Sequence, residues 1–192
     1  MKKLAVIFPG VGYHTDKPLL YYSKKLAAES GYMIKEVSYG NFPKGMRDSR
    51  EKLEKAFFGA LEQTEEILKD VDFGGYEEIL FISKSVGTAV ASAYGQKHHL
   101  KTRNVYYTPV GDSFRFMEQP GIAFTGSKDD WVPLDTVEQG CRQGGFPLYV
   151  VREGNHSLET GAVKQDLKNL EEIMEITEAY IRGNNTMTGR WL

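Results

Sequence analysis

Short apolar runs alternate with longer amphipathic stretches along the whole chain of 192 residues. The short runs have the length of β-strands, and the longer stretches repeat apolar residues every three or four positions, as helices do. The predicted strands are Leu4–Phe8, Met33–Val37, Glu78–Ser83, Asn104–Tyr107, Gly121–Thr125 and Pro147–Val151. The predicted helices are Pro18–Ser30, Asp48–Asp70, Val86–Gln96, Asp135–Gln143 and Val163–Ile181. This alternation predicts an α/β fold in which helices cover both faces of a mainly parallel sheet.

Neither an internal repeat nor a linker interrupts this pattern. We therefore expect one domain over residues 1–183, followed by an irregular tail at 184–192. In the second helix, Asp48 and Glu51 have capping-box spacing. The apolar stripe of that helix consists of Leu53, Phe57, Ala60, Leu61, Thr64, Leu68 and Val71. In the last helix, Gly183 is placed to end the helical pattern.

Composition excludes several classes of protein. The 24 Lys and Arg residues against 26 Asp and Glu give a formal charge of −2, without the basic excess of nucleic-acid-binding proteins. The only cysteine, Cys141, cannot form an intramolecular disulfide, which favours a reducing compartment. The apolar run Leu4–Phe8 ends at Pro9 and is too short for a secretory signal or a membrane span. We expect a cytoplasmic protein that binds neither nucleic acid nor membranes.

Reactive side chains follow three of the predicted strands. The segment Ser83-Lys84-Ser85-Val86-Gly87 joins a strand to a helix, and small residues stand two positions on either side of Ser85. A tight turn of this kind exposes the serine hydroxyl beside the N–H groups of the helix N-terminus. Asp129 follows the fifth strand and His156 the sixth. A serine nucleophile requires a base, and the base requires a carboxylate to orient it, so these residues predict a Ser-His-Asp triad.

The chain resembles the α/β-hydrolase superfamily, in particular the compact, capless branch near dienelactone hydrolases and small carboxylesterases or thioesterases. The resemblance spans residues 4 to about 181 and implies Ser85 as nucleophile, Asp129 as acid and His156 as base. Phe8-Pro9-Gly10-Val11-Gly12 corresponds to the oxyanion loop, which implies oxyanion donors at the backbone N–H groups of Val11 and Val86. The family's first two strands are missing, which implies six strands in the order 2-1-3-4-5-6.

The chain departs from the family pattern at two places. Ser83 stands where the elbow usually begins with Gly, so it is an alternative hydroxyl to Ser85. Phe8-Pro9 replaces the more usual His-Gly of the oxyanion loop. For the acid, Asp130 is the neighbouring alternative, and Asp112 is a further one because some relatives place their acid after the preceding strand.

Several nearby residues are candidates for substrate binding: Gly10, Gly12, Tyr13, His14 and Trp131. For His14 we favour the alternative of a surface residue, and for Trp131 we favour packing beside the acid turn. Phe114, Phe116 and Met117 either form an apolar wall of the site or close the edge of the core. Thr15 replaces the third glycine of a dinucleotide-binding loop, and no metal-ligand spacing is present, so we expect no cofactor and no metal. Cys141 is interpreted as a structural or surface thiol.

These residues predict a serine hydrolase that cleaves a small-molecule ester or thioester through an acyl-enzyme. Only about a dozen residues, 108–120, separate the fourth strand from the fifth, so we expect an open site without a lid. Two alternatives remain: a non-catalytic binding or scaffold protein with this fold, and an acyltransferase that uses the same triad.

Overall fold

A six-stranded parallel sheet forms the centre of the protein in a computed structural model, which describes residues 2–42, 45, 49–183 and 188–192. The strands are β1 (Lys3–Phe8), β2 (Tyr32–Glu36), β3 (Glu78–Lys84), β4 (Thr102–Tyr107), β5 (Gly121–Gly126) and β6 (Leu148–Val151). The helices are α1 (Pro18–Glu29), α2 (Arg50–Leu68), α3 (Val86–Lys97), α4 (Leu134–Gly144) and α5 (Val163–Ile181). Every predicted strand and helix is therefore present, and most ends differ by one or two residues.

The strand order is β2-β1-β3-β4-β5-β6, and every neighbouring pair is parallel. This order and the three-layer α/β/α architecture confirm the predicted fold class. In such a sheet the carboxyl ends of all strands lie on one edge, so the loops that follow β1, β3, β5 and β6 can meet there.

The two faces of the sheet carry separate hydrophobic clusters. Helices α1 and α5 cover one face, on which Leu80 and Ile82 of β3 are buried. Helices α2, α3 and α4 cover the other face, which includes Phe81 of β3. Because side chains alternate along a strand, Ser83 lies on the α3 side and Lys84 lies on the α1 and α5 side. This alternation determines where the residues next to the elbow are placed.

The N-terminus of α2 differs from the prediction. Ser49 is the N-cap and accepts a hydrogen bond from the backbone N–H of Lys52 (3.2 Å). The predicted capping box was therefore wrong, and its Asp48 lies outside the described residues. A serine hydroxyl one residue later satisfies the same free N–H groups of the first turn.

The buried stripe of α2 agrees with the predicted one except near the N-terminus of the helix. It runs through Ala56, Ala60, Thr64 and Leu68. Leu53 is exposed and lines a cavity beside the helix, whereas Phe57 packs against the core cluster and also lines that cavity. Apolar spacing identifies a face that avoids water, but it does not distinguish a packed core from the wall of a pocket.

The C-terminal tail is more ordered than predicted in its described part. Residues 188–190 have no regular structure, but Trp191 forms a parallel bridge with Val150 of the edge strand β6. The backbone N–H of Val150 donates to the carbonyl of Arg190 (2.9 Å), and the N–H of Leu192 donates to the carbonyl of Val150 (2.8 Å). The tail therefore covers part of an otherwise open sheet edge. Residues 184–187 lie outside the described part of the chain.

The connection between β4 and β5 contains a short 3-10 helix, Gly111–Arg115. Phe116, just after that helix, lines the cavity beside α2, whereas Met117 is buried and Phe114 packs against it in the core. Both interpretations of this loop thus hold, each for different residues.

Among the described helices, none combines the length and apolar character needed to cross a bilayer.

Candidate active site

Ser85 occupies a sharp turn between β3 and α3. Its backbone has φ 55° and ψ −125°, a left-handed conformation that a residue with a side chain rarely adopts. The turn is held by a hydrogen bond from the backbone N–H of Ser85 to the carbonyl of Tyr107 in β4 (2.9 Å). This strained strand-to-helix turn is the geometry of a nucleophile elbow.

Gly87 makes the elbow possible because α3 begins very close to the end of β1. A Cβ atom at Gly87 would lie 2.4 Å from the carbonyl oxygen of Pro9 and 2.6 Å from that of Phe8. Ser83, at the opposite position, is fully buried in β3, and its hydroxyl donates to the carbonyl of Val105 (3.3 Å). The departure from Gly at position 83 is thus accommodated by a hydrogen bond within the sheet, which also uses the alternative hydroxyl.

The loops after β5 and β6 lie directly against each other. A Cβ atom at Gly126 would lie 2.1 Å from the carbonyl oxygen of Gly154, and that same carbonyl accepts a hydrogen bond from the N–H of Lys128 (2.8 Å). Asn155 stabilises the second loop, because its side-chain oxygen accepts hydrogen bonds from the N–H groups of Ser157 (2.7 Å) and Glu159 (3.2 Å). This contact brings Asp129 and His156 together.

A continuous hydrogen-bonded chain joins the three predicted residues. His156 Nδ1 lies 2.7 Å from Asp129 Oδ2, and His156 Nε2 lies 2.7 Å from Ser85 Oγ. An ionised carboxylate only accepts hydrogen bonds, so Nδ1 carries the proton and Nε2 accepts from the serine hydroxyl. In this tautomer the imidazole is oriented to take the proton of Ser85.

Asp129 is the carboxylate at the end of this chain. Its side chain is only 1% exposed, and Oδ1 accepts hydrogen bonds from the N–H groups of Trp131 (2.8 Å) and Val132 (3.2 Å). Burial opposes ionisation, but the hydrogen bond and charge of His156 and the two N–H groups outweigh it and hold the pKa of Asp129 below its usual value. Asp130 and Asp112 are both exposed, and both line the cavity beside α2.

A cavity of about 380 Å³ opens above Ser85 and His156. Trp131 forms one wall, and its ring stacks on the imidazole of His156 with centroids 4.5 Å apart and planes at 11°. Val11, Gly12 and Tyr13 form another part of the wall. Trp131 therefore packs beside the acid turn and also lines the cavity, while its role in substrate binding stays a prediction.

The segment after β1 forms a tight turn next to Ser85. Gly10 and Tyr13 exchange backbone hydrogen bonds (3.0 and 3.3 Å), with Val11 and Gly12 at the tip of the turn. The Tyr39 hydroxyl donates a hydrogen bond to the carbonyl of Pro9 (3.0 Å). This contact holds the backbone of Phe8-Pro9, the dipeptide that replaces the usual His-Gly.

Gly10 and His14 flank this turn and differ in their relation to the site. A Cβ atom at Gly10 would lie 3.0 Å from the Cβ of Ser85, so Gly10 permits the close approach of the turn to the elbow. The side chain of His14 is 68% exposed, and its Nδ1 accepts a hydrogen bond from the N–H of Asp16 (3.3 Å). His14 is absent from the lining of the cavity that contains Ser85, which agrees with the surface interpretation.

Lys84, to which the sequence analysis assigned no role, is a buried residue of the site. It is 1% exposed, and its ammonium donates hydrogen bonds to Thr108 Oγ1 (2.6 Å) and to the main-chain carbonyl of His156 (2.7 Å). Burial lowers the pKa of Lys84 to about 7, against the charges of Asp129 and Glu159, which act to raise it. The signal in the sequence is the alternation of β3, which places a lysine among the buried positions of Leu80 and Ile82.

A second, larger cavity of about 700 Å³ lies between α2, α3 and the loop after β4. It shares Asp130 and Trp131 with the cavity above Ser85, and Val86, the residue after Ser85, lines it. Its apolar lining comes mainly from Leu53, Phe57, Phe58, Val86, Ala89, Val110, Phe116, Trp131 and Val132. The rings of Phe57 and Phe116, which both line it, are stacked with centroids 6.1 Å apart.

Cys141 is buried in α4, and burial raises the pKa of its thiol to about 12, so the reactive thiolate is disfavoured. Within the described residues, no group of three or more His, Cys, Asp and Glu side chains is arranged to hold a metal ion.

Comparison with solved structures identifies the fold, whereas comparison with family models and curated proteins finds no match. No protein-family model matches the chain, and no curated protein matches it. Among solved structures, an alpha-beta serine hydrolase homologue from Coxiella burnetii is similar with a TM-score of 0.67 and 15% identity, over 93% of this chain and 84% of that one. Est1E from Butyrivibrio proteoclasticus, solved with ferulic acid bound, has a TM-score of 0.66 and 12% identity, over 93% and 88% of the two chains. The esterase Pf2001 from Pyrococcus furiosus has a TM-score of 0.58 and 13% identity, over 91% and 81%.

These similarities show that the chain has the α/β-hydrolase fold, as the resemblance in its motifs predicted. At 12–15% identity they bear on the fold and not on the reaction.

The first prediction concerns the choice of acid. We expect Asp129→Asn to lower by about 10⁴-fold the rate of any reaction in which His156 acts as the base for Ser85, because an amide stabilises the wrong tautomer of the imidazole. Asp130→Asn is the matched control and is expected to lose far less, because the Oδ2 contact to His156 belongs to Asp129. Steady-state kinetics on both variants measure this, and equal losses would contradict the assignment.

The second prediction concerns Lys84 and stability. In the unfolded chain its pKa is near the ordinary 10.5, and in the folded protein it is about 7. Between these values the unfolded state binds the extra proton, so Lys84 makes folding more favourable as the pH rises and has no such effect below about pH 7. Thermal melts of wild type and Lys84→Met from pH 6 to pH 10 should show the wild-type Tm rising relative to the variant. A gap that does not change with pH would contradict the lowered pKa.

Proposed function

We propose that this protein is a serine hydrolase that cleaves carboxylic esters or thioesters through an acyl-enzyme on Ser85. The observation that carries the proposal is the position of the His156 imidazole, which lies 2.7 Å from Ser85 Oγ on one side and 2.7 Å from Asp129 Oδ2 on the other. A hydroxyl is a weak nucleophile at neutral pH, and a base within hydrogen-bond distance is what activates it.

In the first half of the reaction, Ser85 Oγ attacks the carbonyl carbon of the substrate while its proton passes to His156 Nε2. The imidazolium that forms is stabilised by Asp129, whose low pKa keeps the carboxylate ionised at neutral pH. When the tetrahedral intermediate collapses, His156 returns the proton to the leaving alcohol or thiol. Ser85 then carries the acyl group.

In the second half, a water molecule takes the place of the leaving group. His156 removes a proton from this water as it attacks the acyl carbon, and then protonates Ser85 Oγ as the carboxylic acid is released. The reaction returns the enzyme to its starting state and requires no cofactor.

The backbone N–H groups of Val11 and Val86 are the proposed donors to the oxyanion. Val11 lies at the tip of the turn after β1, next to Ser85, and Val86 is the first residue of α3, where N–H groups have no partner inside the helix. A single donor of this kind is typically worth about 3 kcal/mol of transition-state stabilisation. The contact between Tyr39 and the Pro9 carbonyl supports the fixed position of this turn.

The apolar cavity beside α2 is the proposed site for the acyl group. It adjoins Val86 and shares Trp131 with the cavity above Ser85, so an acyl chain attached to Ser85 has an apolar surface within reach. Charged residues of both signs, Arg50, Arg115, Glu54, Asp112 and Asp130, also line it. Opposite charges at one rim give no preference for an anion or a cation, which favours an uncharged acyl group.

The joined Ser85, His156 and Asp129 side chains favour this proposal over a binding protein without catalytic activity. The positive φ of Ser85 is strained by on the order of 1–3 kcal/mol, and backbone strain of this kind clusters at active sites.

We expect Ser85→Ala to lower hydrolysis of p-nitrophenyl esters by at least about 10³-fold, because the covalent step needs the hydroxyl. The same variant should lose labelling by a fluorophosphonate probe. Ser83→Ala is the matched control: it removes a hydroxyl two residues away that is bonded to Val105, and labelling should persist.

Labelling, turnover and a product analysis with added alcohols or amines together distinguish the hydrolase from its alternatives. Labelling that persists in Ser85→Ala would place the nucleophile elsewhere, and absence of both labelling and turnover in wild type would favour a binding protein. Acyl transfer to added alcohols or amines, in preference to water, would identify an acyltransferase with the same triad.

The acyl-binding cavity predicts a preference for longer acyl chains. Each buried methylene contributes about 0.8 kcal/mol, so we expect p-nitrophenyl hexanoate to exceed the acetate in kcat/KM by at least about tenfold. Ala89→Leu fills part of the cavity and should reduce the hexanoate rate while it leaves acetate within about threefold. The control Ala28→Leu adds the same volume at an exposed position of α1 on the other face of the sheet. Equal rates for the two esters in wild type would contradict this use of the cavity.

A further inference from the structure

The Lys84 side chain connects the end of β3 to three other segments of the active site. It extends from the last residue of β3, immediately before Ser85, and its Nζ donates to the main-chain carbonyl of His156 (2.7 Å). It also donates to Thr108 Oγ1 after β4 (2.6 Å) and lies 5.0 Å from the centre of the Tyr13 ring in the turn after β1. The ends of four strands are thus held around one nitrogen atom.

A buried amine is an unusual choice for a purely structural contact. Lys84 is 1% exposed, and its two hydrogen-bond acceptors, a hydroxyl and a main-chain carbonyl, are both uncharged. Burial of a charged group without a directly bonded counter-ion is unfavourable, and an apolar side chain at this position would avoid that penalty. Both a charged and a neutral amine have enough N–H donors for the two acceptors.

The position of the imidazole depends on the backbone of the loop after β6. Its two contacts of 2.7 Å, to Ser85 and Asp129, require the ring to stay between them. Lys84 and Ser85 are neighbours in the chain, so the Lys84 hydrogen bond connects the backbone of the base directly to the strand end that carries the nucleophile. A displacement of about 1 Å in such a constellation can lower a rate on the order of 10²-fold.

We propose that Lys84 is a positioning residue, whose hydrogen bond to the carbonyl of His156 holds the imidazole at the distance needed to activate Ser85. This inference rests on the proposed hydrolase function, because the rate it affects is that of the Ser85 reaction. Lys84 does not touch the substrate in this proposal and acts through His156.

The test compares Lys84→Met, which keeps the length of the side chain without N–H donors, with wild type. For Lys84→Met we expect kcat for p-nitrophenyl esters to fall on the order of 10- to 100-fold, with KM within about threefold, because positioning acts on the chemical step. Thr64→Val is the matched control, since it removes a buried hydroxyl of α2 that is bonded to the Ala60 carbonyl and belongs to the lining of neither cavity. It should retain wild-type kcat.

A second readout does not depend on activity. The Nδ1 proton of His156, bonded to Asp129, should give a downfield proton NMR resonance that disappears in Asp129→Asn. We expect Lys84→Met to shift or broaden this resonance and Thr64→Val to preserve it. If wild type hydrolyses no ester, the proposed function fails, while the resonance still tests whether Lys84 positions His156.

Lys84→Gln covers the case in which Lys84→Met does not fold. It keeps an N–H donor on a shorter, uncharged side chain, so its kcat should lie between those of wild type and Lys84→Met. If Lys84→Met does not fold, the kcat of Lys84→Gln should still lie below that of Thr64→Val. A folded Lys84→Met with wild-type kcat and an unchanged resonance would overturn the proposal. So would equal loss in Lys84→Met and Thr64→Val, or a Lys84→Gln variant with wild-type kcat and an altered resonance.

Discussion

The close approach of the backbones at the carboxyl edge of the sheet is the constraint on which the site depends. Gly87 lets α3 begin against the carbonyls of Phe8 and Pro9, and Gly126 lets the loop after β5 lie on the carbonyl of Gly154. The first contact places Ser85 beside the turn that contains Val11, and the second places Asp129 beside His156. With any larger residue at either position, a backbone would have to move, and the side chains would separate by more than a hydrogen bond tolerates.

Local patterns in the sequence predicted the six strands, the five helices and the three side chains of the hydrogen-bonded chain, whereas the strand order came from the resemblance to α/β-hydrolases. The local patterns are consecutive apolar residues in a buried strand and a reactive residue directly after a strand. In a parallel sheet, such residues necessarily reach the same edge. The buried position of Ser83 could also be predicted from the sequence, because side chains alternate along β3. Its hydroxyl donates a hydrogen bond to the carbonyl of Val105.

The features that the sequence did not predict depend on contacts between distant segments. The apolar periodicity of α2 is satisfied equally by a core and by a cavity, so it does not indicate that Leu53 and Phe57 line a pocket. The tail after α5 has no strand pattern, yet Trp191 pairs with β6 because an edge strand offers unpaired backbone groups to any segment that reaches it. No pattern in the sequence around Lys84 indicates that its ammonium donates a hydrogen bond to the backbone carbonyl of His156.

Lys84 also shows how the sharp turn at Ser85 constrains the residue before it. Because Ser85 must turn sharply into α3, position 84 is the last one at which β3 still directs a side chain to the α1 and α5 face, beneath the loops after β4 and β6. An apolar residue there would fill the same space, but it would leave the His156 carbonyl without this hydrogen bond. A lysine reaches that carbonyl while its uncharged form lowers the penalty of burial, as its pKa of about 7 indicates. One side chain thereby links the backbone of His156 to the end of the strand that leads into Ser85.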